Sequence, residues 1–445
     1  MKHLKKIIYI ICFIAVFSLK SAYVHAYENS ADEYYKLICE CSYSEPYKAI
    51  KILSEAHELY PKDERFIQEL NNRAKVILSW SKGSQLNGKF DGAIYGYNII
   101  IKTNDISQII KDEANVCMIL SKRGEKAING RINLPQQFDS VENYQNEYEK
   151  SGYEYQRIGC YNTFGNYLYI ENVSSYSTEN DILFDGMGFP MLKYSGKFYY
   201  NPITIEQYTL SSYNRYLNAQ DENKAYLKNQ FLNGANWIIN NIDEDGALRY
   251  EFNYKHYLCD EEFKPGWVSA MAQGQALSVL SRAYHLTGDK KYFNAGNNIF
   301  KFLTTNISDG GVMDNLGGLD ESLKDYIFFQ LYVTKPQSYT LNGHMYTLIG
   351  IYDWSNLDAD KEVKEKAKFY FEQGLKTLKY ILPYYDIGGF VTYDLGYLTK
   401  PGIKPTVNLS YYGCHITLLD ALYEITKDKT FGDYAYLWNH YVEKY

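Results

Sequence analysis

The sequence lacks any cluster of basic residues. Its 46 lysines and arginines are outnumbered by 53 aspartates and glutamates, which gives a net charge of −7 at pH 7. Proteins that bind the phosphate backbone of nucleic acids carry a basic patch or stripe. The composition therefore excludes nucleic acid from the expected partners.

Cysteine is scarce and scattered. Six of the seven cysteines follow residue 26, and Cys39 and Cys41 are too close together for an easy mutual disulfide. A disulfide framework is left open but is not indicated. His256 and Cys259 are neighbours, but no second ligand pair follows at the spacing of a zinc finger. We therefore predict neither a metal site nor another cofactor.

Long apolar runs are missing beyond the N-terminus. Residues 7–19 are apolar, follow Lys2, Lys5 and Lys6, and lead to a small residue at Ala26. The run is shorter than the about 20 residues that span a bilayer. This pattern predicts a signal peptide over residues 1–26, cleaved after Ala26, and hence a secreted or extracytoplasmic protein. An uncleaved membrane anchor is the alternative.

Tyrosine, in contrast, is abundant: 48 tyrosines stand against 21 phenylalanines. A phenol combines a flat apolar face with a hydroxyl group, which suits polar, ring-shaped ligands such as sugars. An AT-rich genome would give the same enrichment. Composition alone is therefore a weak indication of a carbohydrate ligand.

Residues 27–125 show helical patterns similar to those of tetratricopeptide repeats, which place small residues where two helices approach and Pro where the second ends. The matching positions are Ala49, Leu53, Ala56 and Pro61 in one partial copy, and Gly88, Phe90, Ala93 and Tyr97 in a second partial copy. We predict a short helical segment of this kind. It would pack on the rest of the chain or contact another protein.

Residues 126–200 change character. Between residues 152 and 177, aromatic residues alternate with polar ones, and Gly and Asn residues interrupt the pattern. This predicts short antiparallel strands in a small β-rich region.

Helical patterns dominate residues 201–445. Helices are predicted at about 203–218, 223–241, 267–287, 290–306, 338–355, 361–382, 411–426 and 430–443. Two joints read Thr-x-Asp-Lys, and Asp289 and Asp428 are predicted to cap the helices that follow. Antiparallel helix pairs with Gly-rich loops predict a mainly α fold whose C-terminal domain is an (α/α) toroid.

The stretch "LNGHMYTLIGIYD" (Leu341–Asp353) permits two interpretations. Asn342-Gly343 is a hairpin signal, but the apolar spacing continues for three helical turns. We predict a helix. Asn342, Tyr346 and Gly350 then share one face and would suit the inner wall of a toroid.

Four motifs in this region resemble a known family. "GWVSAMAQGQALSVLSRAYHLTGD" (Gly266–Asp289) carries too many polar side chains in too many directions for all of them to face a core. This segment, "LNGHMYTLIGIYD", "LKYILPYYDIGGFVTYDL" and "YYGCHI" resemble the C-terminal domain of D-glucuronyl C5-epimerases. The resemblance covers about residues 181–445 and does not include the first 180.

The resemblance implies a chemistry. Inversion at C5 of a hexuronic acid needs a base, an acid on the opposite face, and donors for the charge that develops on the carboxylate. The family is thought to use tyrosines as base and acid, with an Arg near the carboxylate. Carried over by motif, the catalytic tyrosines are Tyr332, Tyr393 and Tyr411, and His415 matches the His of the last motif.

The chain departs from the family pattern at two positions. Leu331 replaces the acidic residue before the first tyrosine, and Gly396 replaces the Arg. Lys335, Lys400 or Lys404 could supply the missing charge. The substrate-binding candidates are Asn342, Tyr346, His344, Gln275, Gln273, Trp267, Arg282, His415 and Lys335. For the glutamines and for His415, structural packing is the alternative interpretation.

Three functions follow from these features. The first is an exported carbohydrate-active enzyme that inverts C5 of hexuronic acid residues in an acidic polysaccharide of the heparan sulfate or heparosan type. The second is a lyase that removes the same C5 proton and then eliminates the 4-linked sugar. The third is a non-catalytic glycan-binding module. A homodimer is an assembly that the sequence leaves open.

Overall fold

The computed structural model describes residues 30–41, 43, 45–122, 124, 158–168, 181–358, 360–387, 391–407 and 409–443. The predicted signal peptide lies outside these residues. The chain divides into two compact units, residues 1–128 and 129–445. It is mainly helical, which confirms the predicted class. No described helix is long and apolar enough to cross a membrane.

The first unit consists of consecutive helices. They are α1 (Ala31–Glu40), α2 (Pro46–Leu59), α3 (Glu64–Leu86), α4 (Phe90–Lys102) and α5 (Gln108–Lys122). Small residues allow close helix packing: Ala49 and Ala93 are fully buried, and a Cβ atom on Gly96 would lie 2.0 Å from Ser81 Oγ. Pro61 lies in the turn between α2 and α3.

In the described part of the second unit, four helix pairs follow one another. They are α6 (Pro202–Asn218) with α7 (Asp221–Asn241), α8 (Ala270–Thr287) with α9 (Lys290–Leu303), α10 (Leu341–Ser355) with α11 (Lys361–Tyr385), and α13 (Leu409–Thr426) with α14 (Lys429–Glu443). A short helix, α12 (Gly396–Thr399), precedes the last pair. All eight predicted long helices are confirmed, with bounds that differ by at most three residues.

The two predicted helix caps are also confirmed. The Asp289 carboxylate accepts a hydrogen bond from the backbone N–H of Lys291 at 3.0 Å, and the Asp428 carboxylate accepts one from Thr430 at 3.0 Å. Each satisfies a backbone donor that the first turn of a helix leaves unpaired.

The first helix of each pair is buried, and these four helices pack side by side in chain order. Helices α8 and α10 run in the same direction, since Gly274 packs on Gly350 and Arg282, further along α8, pairs with Asp353, further along α10. Their N-terminal ends therefore lie at one end of the unit.

Helix α10 confirms the predicted helix over "LNGHMYTLIGIYD". The predicted stripe on it does not form an open wall throughout. A Cβ atom on Gly350 would lie 1.9 Å from the carbonyl oxygen of Gly274, so this glycine serves close packing of α10 on α8.

Small antiparallel sheets precede the buried helices. They pair β1 (Ile182–Phe184) with β2 (Pro190–Tyr194) and β2 with β3 (Lys197–Tyr199), β4 (Arg249–Tyr250) with β5 (Trp267–Val268), and β6 (Met313–Asn315) with β7 (Ile327–Phe329). Because the chain passes from these strands into α6, α8 and α10, the strands bring aromatic residues to the helix N-terminal ends.

The prediction of strands at 152–177 is wrong for the described part, residues 158–168, which contains turns and irregular backbone. The backbone groups of this segment bond to helix side chains instead of a neighbouring strand. The Ile158 N–H donates to Asp420, and the Tyr167 N–H donates to Asn214 at 2.7 Å. The remainder of 152–177 lies outside the described residues.

Candidate functional site

The three predicted catalytic tyrosines meet at the N-terminal ends of the buried helices. The rings of Tyr393 and Tyr411 are 5.0 Å apart. Tyr332 stacks on Tyr254 at 5.3 Å and 12°, and Trp267 lies 6.2 Å from Tyr332. We call Tyr254, Trp267, Tyr332, Tyr393 and Tyr411 the tyrosine cluster. Tyr332 and Tyr393 are 61 positions apart in the chain, so tertiary packing brings them together.

The tyrosine hydroxyls affect one another. The hydroxyl of Tyr332 lies next to those of Tyr254 and Tyr393, in hydrogen-bonding contact that affects its pKa. Burial, followed by repulsion from the neighbouring tyrosines, raises the pKa of Tyr332 and of Tyr393 well above the ordinary value. Both are therefore phenols near neutral pH. Two phenolates at this distance would repel each other, which favours at most one charge in the cluster.

Backbone hydrogen bonds attach the cluster to the buried helices. The carbonyl of Tyr393 accepts from the N–H of Leu341, the first residue of α10, at 3.2 Å. The N–H of Ala270, the first residue of α8, donates to the carbonyl of Gln330 at 2.9 Å. These bonds hold the tyrosines at helix N-termini, where the aligned backbone dipoles favour an anion.

The structure gives a physical account of Leu331. Its side chain is buried and packs on α10. The contact is close: a Cβ atom on Gly343 would lie 2.5 Å from Leu331 Cβ. An apolar side chain is suited to this contact.

Gly396 is surrounded closely by residues of the loop between β4 and β5. A Cβ atom at position 396 would lie 2.2 Å from the hydroxyl of Tyr257 and 3.0 Å from Leu258. The Tyr257 hydroxyl donates to Asp394 Oδ1 at 2.6 Å, and the Gly396 N–H donates to the same oxygen at 3.0 Å. Burial raises the pKa of Asp394 to about 6. This carboxyl group is directly beside Tyr393 in the chain.

The lysines proposed as substitutes for the Arg lie in different surroundings. Lys400 Nζ donates to the carbonyl of Leu258 at 2.9 Å and lies 3.4 Å from Asp260 Oδ1. Its ammonium group is therefore bound to the loop between β4 and β5. Lys335 is exposed and precedes a cis bond to Pro336.

Trp267, His415, Asn342 and Tyr346 lie at or near the helix N-termini. Trp267 stacks on Tyr250 at 3.8 Å, and the His415 ring lies 6.4 Å from that of Tyr393. Burial lowers the pKa of His415 to about 3, so its imidazole is neutral. Neither of its nitrogens has a partner among the described residues.

Asn342 and Tyr346 are on α10. Asn342 is buried, and its amide oxygen accepts no hydrogen bond from the described residues. The Tyr346 hydroxyl lies 3.4 Å from Cys414 Sγ, in the contact between α10 and α13.

The other predicted binding residues bond to the protein itself. Gln273 donates to the carbonyl of Leu248 and accepts from its N–H, both at 3.1 Å. Gln275 donates to the Tyr167 hydroxyl at 3.4 Å. These contacts correspond to the packing interpretation of the two amides.

Arg282 lies at the opposite end of α8 from the tyrosine cluster. Its guanidinium donates to Asp353 Oδ2 at 2.8 Å, and the Tyr161 hydroxyl donates to the same oxygen at 2.9 Å. Both members of the ion pair are fully buried. The expectation that Met271, Gln275, Leu277, Ser278 and Arg282 could not all face a core is wrong, since all five are buried.

Three residues next to the cluster were not anticipated as site residues. The His256 ring is 4.8 Å from that of Tyr332, and Tyr257 donates to Asp394, which follows Tyr393 in the chain. Asp394 could have been suspected because it follows Tyr393. His256 and Tyr257 stand in the aromatic-rich segment "YEFNYKHY", but nothing in its local pattern shows which distant residues it meets.

Comparison with known proteins identifies the region that carries the cluster. Residues 242–440 match the family model of the D-glucuronyl C5-epimerase C-terminus. The predicted resemblance is thus confirmed, and all residues of the tyrosine cluster lie inside the match.

Two relatives extend this finding. A D-glucuronyl C5-epimerase of Caenorhabditis elegans is 32% identical over 222 residues, which cover 48% of this chain and 35% of that protein. An uncharacterized protein of Methanocaldococcus jannaschii is 26% identical over 262 residues, which cover 55% of this chain and 78% of that protein. The chain thus spans about a third of the length of the C5-epimerase relative.

Proposed function

We propose that this protein is an exported C5-epimerase that acts on hexuronic acid residues of an acidic polysaccharide. The convergence of Tyr332, Tyr393 and Tyr411 in one cluster carries the proposal. The match of residues 242–440 to the C5-epimerase C-terminal family supports it.

In this mechanism, Tyr393 and Tyr411 face opposite sides of the sugar at C5. Since Tyr393 is a phenol near neutral pH, Tyr411, which is 38% exposed, accepts the C5 proton as a phenolate, and the electron pair of the C–H bond is delocalised onto the carboxylate. Tyr393, as a phenol, donates a proton to the opposite face, so that the number of protons is unchanged. Tyr332 assists, since its hydroxyl lies next to that of Tyr393 and can pass a proton between turnovers. Mutual repulsion allows at most one phenolate in the cluster, and the proposed proton exchange requires only one.

Two alternatives remain distinct from epimerisation. A lyase would use the same C5 proton abstraction but would then break the bond at C4. A glycan-binding module would use the aromatic surfaces alone.

Incubation with a glucuronate-containing polymer in deuterated water separates these functions. We expect deuterium at C5 without chain cleavage, measured by NMR. Unsaturated uronate absorbance would instead show a lyase, and binding without either signal would overturn the enzymatic proposal. Tyr393→Phe and Tyr411→Phe should lower C5 exchange by about 10²–10⁴-fold, the usual contribution of a positioned acid or base. Tyr226→Phe is the matched control because Tyr226 is exposed on α7.

The architecture of each unit and the export of the protein are part of the same proposal. We propose that the four helix pairs form an (α/α) toroid, that the first unit is a tetratricopeptide-like segment, and that residues 1–26 direct export. The side-by-side packing of the four buried helices and the buried Ala49, Ala56 and Ala93 support the first two. N-terminal sequencing of protein recovered outside the cytoplasm would test the third, with Tyr27 expected as the first residue.

A further inference from the structure

His256 is a buried histidine beside the tyrosine cluster to which the mechanism above gives no role. It lies in the loop between β4 and β5 and is 3% exposed. Its ring centre is 4.8 Å from that of Tyr332 and 4.9 Å from that of Tyr257. A ligand that reaches Tyr332 would therefore come close to this imidazole.

The hydrogen bonding of His256 determines its tautomer. The backbone N–H of Leu258 lies 3.3 Å from Nδ1 and can only donate, so Nδ1 must carry a lone pair. Burial lowers the pKa of His256 to about 4, and the ring is therefore neutral near neutral pH. A neutral imidazole has one proton, which must then be on Nε2.

His344 shows how a histidine with the same tautomer behaves when its role is structural. Its Nδ1 accepts from the N–H of Phe329 at 3.1 Å, and its Nε2–H donates to the carbonyl of Gly374 at 3.2 Å. Both nitrogens thus bond to backbone. For His256, the described part of the chain provides the donor to Nδ1 but no acceptor for the Nε2–H group.

Two candidate positions for a cationic donor are not available to an acidic group. Position 396 carries no side chain, and Lys400 is bound to the loop itself. A neutral N–H donor strengthens its bond as negative charge grows on the acceptor oxygen, without the cost of burying a cation.

We propose that the Nε2–H group of His256 donates a hydrogen bond to a carboxyl oxygen of the hexuronate bound at the tyrosine cluster. This inference rests on the proposed function. The proton stays on Nε2 throughout, and His256 stabilises the charge that moves onto the carboxyl group when the C5 proton is removed. It is therefore an electrophilic donor, and the tyrosines remain the groups that exchange protons.

The tautomer can be measured independently of activity. In protein labelled with ¹⁵N-histidine, two-bond proton–nitrogen spectra should show His256 with an unprotonated Nδ1 and a protonated Nε2 from pH about 5 to about 8. Spectra of His256→Gln and His344→Gln assign the two signals. Addition of a glucuronate oligosaccharide should shift the Nε2 signals of His256 and leave those of His344 unchanged. A protonated Nδ1, or saturable binding with no shift at His256, would overturn the proposal.

Kinetics of C5 exchange provide the second test. His256→Phe removes the donor and should lower kcat about 10²–10³-fold with a much smaller effect on KM, since the bond matters most as charge develops. His256→Gln retains an N–H donor and should recover part of that loss, which a purely structural role would not predict. His285→Gln, at an exposed position far along α8, is the control and should retain wild-type exchange.

The two proposals fail in different ways. If the wild-type protein binds the oligosaccharide but exchanges no C5 proton, the proposed enzyme function fails while the spectra still test the donor. If the wild-type protein exchanges the proton and folded His256→Phe does so at the same rate, the role of His256 is disproved. Thermal unfolding of His256→Phe establishes that the variant is folded.

Discussion

The hydroxyl of Tyr257 lies 2.2 Å from the position that a Cβ atom on Gly396 would occupy. These residues are 139 positions apart, and the contact places the loop between β4 and β5 against the segment that follows Tyr393. The same hydroxyl donates to Asp394. The Tyr257 side chain thus fills the space beside Gly396.

This relationship predicts that an arginine cannot simply be restored. Gly396→Arg alone should lower stability and weaken glycan binding, because the new side chain collides with Tyr257. The double variant Gly396→Arg/Tyr257→Ala has room for the guanidinium and should bind glucuronate oligosaccharides about tenfold more tightly than Tyr257→Ala alone.

Calorimetric titration at low and high ionic strength measures this effect. Binding by the double variant should weaken at high ionic strength more than binding by Tyr257→Ala, whereas an uncharged oligosaccharide should not distinguish the two variants. Equal affinity of both variants for the charged ligand would show that position 396 does not face it.

The buried pair of Arg282 and Asp353 predicts a large loss of stability when one partner is removed. Arg282→Met leaves the Asp353 carboxylate buried without its cation and should cost about 3–5 kcal/mol in the free energy of unfolding. Arg282→Met/Asp353→Leu removes both charges and should recover most of this cost. Denaturant unfolding measures both variants.

The control is an exposed ion pair. Lys361 lies 3.5 Å from Glu365 with both side chains largely in solvent, and Lys361→Ala should cost less than about 1 kcal/mol. A similar small cost for Arg282→Met would show that the buried pair does not have the solvent-excluded environment seen in the structure.

Close helix packing predicts opposite effects of one substitution at two glycines. Gly350→Ala places a methyl group against the backbone of Gly274, which cannot move aside, and should destabilise by about 1–3 kcal/mol. Gly92→Ala meets no atom within 4 Å inside helix α4 and should stabilise its own unit by about 1 kcal/mol through helix propensity. Hydrogen exchange resolved by segment would report each unit separately. A neutral result for Gly350→Ala would contradict the contact.

The buried carboxyl group of Glu206 should make the free energy of unfolding depend on pH. Its carboxyl group is fully buried, and neither oxygen has a partner among the described residues. Burial raises the pKa of Glu206 well above its ordinary value, so the folded protein binds this proton more tightly than the unfolded chain. The contribution to stability is therefore present below the unfolded pKa and is lost as pH rises toward the folded pKa.

Glu206→Gln carries no titrating proton and should escape this loss. Its free energy of unfolding relative to wild type should rise with pH by about 1.4 kcal/mol per pH unit above the unfolded pKa of glutamate. Denaturant unfolding at a series of pH values measures this difference. Glu244→Gln, at an exposed position, controls for the change in net charge. A difference that does not vary with pH would show that Glu206 is ionised in the folded protein.

Much of the local structure could be predicted because it depends on neighbours in the chain. The helix at Leu341–Ser355 forms despite its Asn-Gly pair, since three turns of apolar residues outweigh one turn signal. Asp289 and Asp428 cap their helices as expected from the short-range geometry of a helix N-terminus. The sequence motifs likewise identified Tyr332, Tyr393 and Tyr411, which the fold brings into one cluster.

The partners of polar residues could not be predicted in the same way. Gln273, Gln275 and Arg282 looked like candidates for ligand contact because a polar residue on a buried helix needs a bonding partner. The sequence does not show whether that partner is a ligand or another part of the protein. In the fold, the partners are Leu248, Tyr167 and Asp353.

The sequence by itself thus determined the helices and their caps, and its motifs pointed to Tyr332, Tyr393 and Tyr411. Only the tertiary structure decided that His256 lies beside Tyr332 and that Tyr257 fills the space at Gly396. The reason is physical: periodicity and capping arise from interactions within a few residues, whereas burial and hydrogen-bond satisfaction depend on which distant segments pack together.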